Sequence, residues 1–171
     1  MILGFGLSKT GTTSLNRALQ ILGYKARHLP SKQELFSDKY DAFSDIPCLA
    51  YLEALLRLYP DAKLIYTSRE IFSWLDSCHR HFKPTKNSYF LELRQLVYGS
   101  FYPQREHFLL THKRCEDKAM RLSKSRSVLF LPLEAENKWE LICNYLGVTA
   151  PEIDYPHANK RQIRSSIATV L

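Results

Sequence analysis

Between its first strand-like run and its first helical run the chain reads Gly6-Leu-Ser-Lys-Thr-Gly11-Thr-Thr-Ser-Leu15. Two glycines five positions apart let the backbone curl so that successive N–H groups turn inward, and a helix opening directly behind adds its positive end. Such a loop grips an oxyanion. In the form G-x-x-x-x-G-K-[ST] the residue after the second glycine is lysine; here it is Thr12, and the cation stands earlier, as Lys9. The phosphate grip is kept and the ATPase lysine is displaced. Ser8, Thr10, Thr12, Thr13 and Ser14 surround Lys9 and Gly11 with hydroxyls. A second candidate pair is Arg69, which follows the run Leu64-Ile-Tyr-Thr-Ser, and Ser77, eight residues on. Arg69 offers a permanently charged fork to a phosphate, and Ser77, two helical turns further, can add a hydroxyl. The plainer alternative pairs Arg69 with Glu70 or Asp76 and leaves Ser77 on the surface. For general-base work the candidates are Asp45, in Phe43-Ser-Asp45-Ile-Pro47, and His28 as runner-up. Asp45 is equally readable as the N-cap of a following helix, and His28 as a partly buried polar residue.

These residues need elements to hold them. Ile2-Leu-Gly-Phe reads as a short buried strand, and Leu15, Ala18, Leu19 and Leu22 fall on one helical face that Gly23 ends. Tyr24 to Leu29 alternates as a strand, and Ser31 with Glu34 forms a capping-box signature. A third strand is expected over 41–46, and one amphipathic helix over 49–59, stopped by Pro60. Then come a strand over 62–68, a helix over about 70–81, helical patterns over 90–97 and 106–122, a buried strand from Ser127, and a helix over 138–146 ended by Gly147. Strands alternating with helices predict a parallel sheet covered on both faces, with chemistry at the carboxyl ends of its strands.

Residues 79–126 hold eleven lysines and arginines against four acids, which is the whole of the +7 net charge of this 171-residue chain; the other 123 residues balance at 13 against 13. Basic chains take anionic partners: nucleic acid, a membrane surface, or a phosphate- or sulfate-bearing ligand. The longest stretch without a charged residue, Leu141 to Pro151, falls far short of the roughly 20 residues of a membrane span. The N-terminus lacks the pattern of a signal peptide, so a cytoplasmic location is expected. Cys48, Cys78, Cys115 and Cys143 form no C-x-x-C pair and read as reduced, mostly buried thiols. Cys78-His79-Arg80-His81 reads as a solvated helix end rather than a metal site.

Ser8-Lys-Thr-Gly-Thr-Thr-Ser-Leu resembles the 5′-phosphosulfate loop of sulfotransferases, P-K-[ST]-G-T-T-x-L, with Ser8 in place of the usual proline. Leu64-Ile-Tyr-Thr-Ser-Arg69, followed by Trp74 and Ser77, resembles their 3′-phosphate segment. Trp139-Glu-Leu-Ile-Cys-Asn-Tyr-Leu-Gly147, with Pro156-His-Ala-Asn159 beyond it, is similar to the C-terminal part of a small-sulfotransferase subfamily. The glycine-rich cofactor loop that cytosolic members carry near the C-terminus is missing, and Lys160 and Arg161 stand where their charge could replace it. Nothing in 83–123 matches.

The resemblance implies an α/β, three-layer P-loop NTPase-like fold: one domain over 1–171 with a central, mainly parallel sheet of about five strands and a helical insert over about 83–123. It implies transfer of the sulfuryl group from 3′-phosphoadenylyl sulfate (PAPS) to a hydroxyl or amine, with the bisphosphate PAP as product and no metal. Lys9 would face the bridging oxygen, and the N–H groups of Thr10 to Thr13 with the Thr12 and Thr13 hydroxyls would hold the phosphosulfate. Ser8, Ser14, Arg69, Ser77, Lys160 and Arg161 complete the cofactor set, and Asp45 is the leading base. A small-molecule or saccharide acceptor would enter over the variable segments 28–40 and 83–123, in a pocket either shallow or completed by a second subunit of a homodimer. Two alternatives are a P-loop nucleotide kinase or NTPase, against which Thr12 speaks, and a non-catalytic nucleotide- or nucleic-acid-binding module, supported only by the basic middle segment.

Overall fold

The computed structural model describes residues 1–158. Five parallel strands, β1 (Ile2–Gly4), β2 (Ala26–His28), β3 (Ala42–Ser44), β4 (Lys63–Ser68) and β5 (Val128–Pro132), form one sheet in the order β2-β3-β1-β4-β5. Alternation along the strands sorts their side chains to two faces. Ile2, Ala42, Ile65 and Leu131 face α1 (Thr12–Ile21) and α8 (Lys138–Leu146), meeting Leu15, Ala18, Leu19, Ile142 and Leu146. Leu3, Phe43, Leu64 and Tyr66 face the larger cluster, with Leu52 and Leu55 of α4 (Leu52–Leu58), Trp74 and Leu75 of α5 (Ile71–His81), and Phe108 and Ala119 of α7 (Arg105–Ser123). The result is the expected three-layer, P-loop-like α/β architecture. α6 (Ser88–Tyr98) and α7 lie between α5 and β5 and are the helical insert.

The local signals act as their chemistry dictates. Ser31 and Glu34 make both bonds of a capping box at the start of α2 (Lys32–Leu35). Gly147 ends α8 at φ 75°, donating to the Cys143 carbonyl that Val148 also reaches. One expectation is corrected: the single helix over 49–59 is two helices, α3 (Ile46–Ala50) and α4, parted at Tyr51. Asp45 caps Ile46 and Pro47 sits in the first turn, so helix formation begins three residues early.

With β1 in the middle, the chain builds β2 and β3 on one side and then crosses to β4 and β5 on the other. The crevice over the carboxyl end of β1 is therefore the topological switch point, where parallel α/β folds bind ligands.

Candidate active site

The loop after β1 opens on that crevice. Gly6 lies so close to β4 that a Cβ there would meet Thr67 Oγ1 at 1.9 Å and the Thr67 carbonyl at 2.7 Å. Gly11, at φ 99°, takes the left-handed turn into α1 and serves as its N-cap without any side-chain bond. The first backbone bond of α1 is from Leu15 N–H to the Gly11 carbonyl, and the N–H groups of Thr12, Thr13 and Ser14 meet no acceptor among the described residues. They are oriented donors at a positive helix end. Lys9, itself left-handed at φ 73°, has no recorded side-chain partner among the described residues and lines the cavity.

Thr10 departs from the expected set. Its hydroxyl donates to the Leu7 carbonyl at 2.6 Å and lies 2.7 Å from Thr67 Oγ1, and its N–H also goes to Leu7. Thr10 fixes the loop from beneath, and the anion-facing donors begin at Gly11.

Three further contacts hold the loop from the helical side. Ser8 N–H donates to the Tyr98 hydroxyl at 3.1 Å, Trp74 Nε1–H donates to the Ser8 carbonyl at 2.9 Å, and Arg69 Nη1 donates to the Lys9 carbonyl at 3.3 Å. Arg69 pairs with neither Glu70 nor Asp76. Its Nε and Nη2 both donate to Ser73 Oγ, at 3.0 and 2.8 Å, and His112 holds its carbonyl at 3.0 Å. Glu70 instead caps α5, accepting from Phe72 and Ser73 N–H. Ser77 is buried on α5 and lines the same cavity as Arg69.

Opposite these, at the ends of β2 and β3, His28 Nε2 lies 2.9 Å from Asp45 Oδ2 and within 3.1 to 3.3 Å of the Thr13 and Thr12 hydroxyls. Asp45 is 5% exposed and accepts from Ser8 Oγ at 3.0 Å and from Ile46 N–H at 2.7 Å. Burial alone would raise its pKa, but the hydrogen bond and charge of His28, with the Ile46 and Ser8 donors, hold it below the ordinary aspartate value. Its backbone sits at φ 84°, ψ −175°, a region that costs a non-glycine residue about 1–3 kcal/mol and that marks functional sites. Asp45 is thus the helix cap, the plainer of its two sequence readings, and it also lines the cavity.

One cavity of about 820 Å³ collects Ser8, Lys9, Gly11, Thr12, Thr13, Ser14, His28, Asp45, Arg69 and Ser77. Lys160 and Arg161 lie outside the described residues. Ser73, the bond of Tyr98 to the loop, and Arg94 at the cavity were not read from the sequence. Ser73, four residues after Arg69 on the opening turn of α5, carried a usable spacing signal; the other two depend on how α6 folds back. Arg80 and Arg94, two of the eleven lysines and arginines of the middle segment, line the cavity wall, together with His81. The cysteines offer no alternative chemistry: all four are free and buried, and burial pushes the Cys78 thiol up to about 12 against the pull of Lys9 and Arg69. Among the described residues no cluster of His, Cys, Asp or Glu could hold a metal ion, and no helix is long and apolar enough to cross a membrane.

A P-loop-like sheet thus brings together a glycine-bounded loop at a helix start, a strand-end arginine and an acid–imidazole pair, and the sequence comparison gives the class. The sulfotransferase domain model matches residues 1–34 and 28–163, and the chain belongs to that family. It is also similar to Ava biosynthesis cluster protein M of Aspergillus versicolor, at 25% identity over 209 positions that span 91% of this chain and 79% of the relative.

Proposed function

We propose that the chain transfers the sulfuryl group of PAPS to a hydroxyl or amine of a small-molecule or saccharide acceptor. The observation that carries this reading is the meeting, in one cavity, of Lys9 and the N–H groups opening α1, none with a partner among the described residues, Arg69 with Ser77, and the His28–Asp45 pair. Gly11, Thr12, Thr13 and Ser14 would hold the 5′-phosphosulfate, and Arg69 with Ser77 the 3′-phosphate.

In the transfer the acceptor's oxygen or nitrogen bonds to sulfur as the bond from sulfur to the bridging phosphate oxygen breaks, and the electron pair stays on that oxygen. Lys9 neutralises the charge developing there, the kind of fixed donor that acts most strongly in a water-poor site. The acceptor's proton needs a base. Both Asp45 oxygens already accept hydrogen bonds and its pKa is held low, so it is a weak base and a good orienting group. His28, bound to Asp45 through Nε2, keeps Nδ1 unpartnered among the described residues. The reading therefore assigns proton uptake to His28 and stabilisation of its imidazolium to Asp45.

Calorimetric titration with adenosine 3′,5′-bisphosphate, beside ATP with magnesium, tests the donor assignment. Tight binding of the bisphosphate is expected; tight ATP binding with no response to the bisphosphate overturns it.

A further inference from the structure

The sheet order divides the cavity at Lys9. Toward β4 and β5 lie Arg69, Ser77 and Leu133; toward β2 and β3 lie His28, Leu29, Asp45 and Ile46, roofed by Phe82 at the end of α5 and by Phe90 and Arg94 of α6. If the first half takes the donor, the second half must take the acceptor. Around it the lining is apolar apart from the His28–Asp45 pair, His81, Arg80 and the Arg94 guanidinium.

That guanidinium is built in. Arg94 is half-buried, its plane 4.8 Å over the Phe82 ring, and Nη1 donates to the Lys83 and Phe101 carbonyls at 3.0 and 3.2 Å. Those two bonds fix the side chain and leave Nε and Nη2 without a partner among the described residues. Together these two form the edge of a guanidinium that binds a carboxylate with two parallel bonds. Among the described residues the one carboxylate lining the cavity is Asp45, which His28, Ser8 and Ile46 already hold. Arg80, the neighbouring cation, is paired with Asp76 on its own helix. His81 is held toward its neutral form, since burial, Lys9 and Arg94 all push its pKa below the ordinary histidine value, with Asp45 opposing. A half-buried cation held in place by two carbonyls, with a free bidentate edge and no acid beside it, suits recognition of an anion.

Resting on the sulfotransferase reading, we propose that the acceptor is an apolar, ring-bearing hydroxyl compound carrying an anionic group, a carboxylate by preference, with the ring between Phe90 and Leu29, the anion on Arg94 and the reacting hydroxyl at His28. Arg94 is then the specificity-determining residue for the acceptor.

The test is calorimetric binding of para-hydroxyphenylacetate, para-ethylphenol and tyramine to the protein saturated with adenosine 3′,5′-bisphosphate. One charge-assisted bidentate contact predicts that the carboxylate compound binds about tenfold to a hundredfold tighter than the neutral phenol, with tyramine weakest. Arg94→Gln should erase that preference and leave bisphosphate affinity unchanged, while Arg94→Lys should keep part of it. Equal binding of the three, preference for tyramine, or no binding of any overturns the proposal, as does an Arg94→Gln variant that loses bisphosphate rather than acceptor. Should Arg94→Gln fail to fold, the wild-type series with Arg94→Lys decides. Failure of the bisphosphate itself to bind is a different result and overturns the sulfotransferase reading instead.

Discussion

On the β4 side of Lys9 the cavity wall is made by short-range geometry: a loop, a helix start, and an arginine with the serines one and two turns behind it. On the β3 side residues 28, 45, 90 and 94 come from three separate segments, the last two from α6. On the proposed reading the first side would hold its ligand largely with backbone N–H groups, which any sequence presents if its glycines permit the path. The second would recognise through side chains, whose identity can change without disturbing the loop. One fold could thus keep a donor and vary its acceptor.

Substitutions can break that contrast. The largest effects belong to the residues at the dividing line, Lys9→Ala and His28→Ala, each expected to lower kcat by about 10² to 10⁴. They differ in what an unchanged kcat would mean: in Lys9→Ala it would remove the charge-stabilising role, and in His28→Ala it would return the base to another group. Next is Gly6→Ala, which drives a Cβ into Thr67; bisphosphate affinity should fall at least about tenfold, as expected when an overpacked site shifts by 1–3 kcal/mol. Tyr98→Phe leaves Ser8 N–H buried without its acceptor and should cost about 1–3 kcal/mol of stability in urea titration. Ser77→Ala, losing one hydroxyl, should weaken the bisphosphate by only about threefold to tenfold.

Asp45 gives a stability test. Its folded pKa is depressed, so its contribution is complete above the unfolded value of about 4 and is lost as pH falls through the lower folded value. Thermal melts should show this acid-side loss in the wild type and a flatter dependence in Asp45→Asn.

The same division explains what could be read from the sequence. The oxyanion loop, the Arg69–Ser77 spacing, the capping box at Ser31 and the stop at Gly147 are local, and residues a few positions apart suffice to specify them. Where Asp45 ends up could also be anticipated, because a strand end fixes it, although its bond to His28 needs β2 and β3 to pair in register. The break at Tyr51 was not legible, since the pattern of apolar residues runs through it. Tyr98 and Arg94 were hidden for a stronger reason: α6 shows an ordinary helical pattern, and only tertiary folding brings residue 98 to residue 8. The concentration of charge over 79–126 was plain, but its meaning was not, because nine of those eleven cations lie off the cavity and two line it.

The bonds that shape the loop also fix when it can form. Ser8 meets Trp74 and Tyr98 across 66 and 90 residues, and Ser14 Oγ accepts from Ala158 N–H across 144. Contacts of such separation form only after the entropy of closing the intervening chain has been overcome. The loop of residues 6–14 therefore acquires its shape late in folding, and on the proposed reading recovery of bisphosphate binding during refolding would time the arrival of α6 and of Ala158 at that loop.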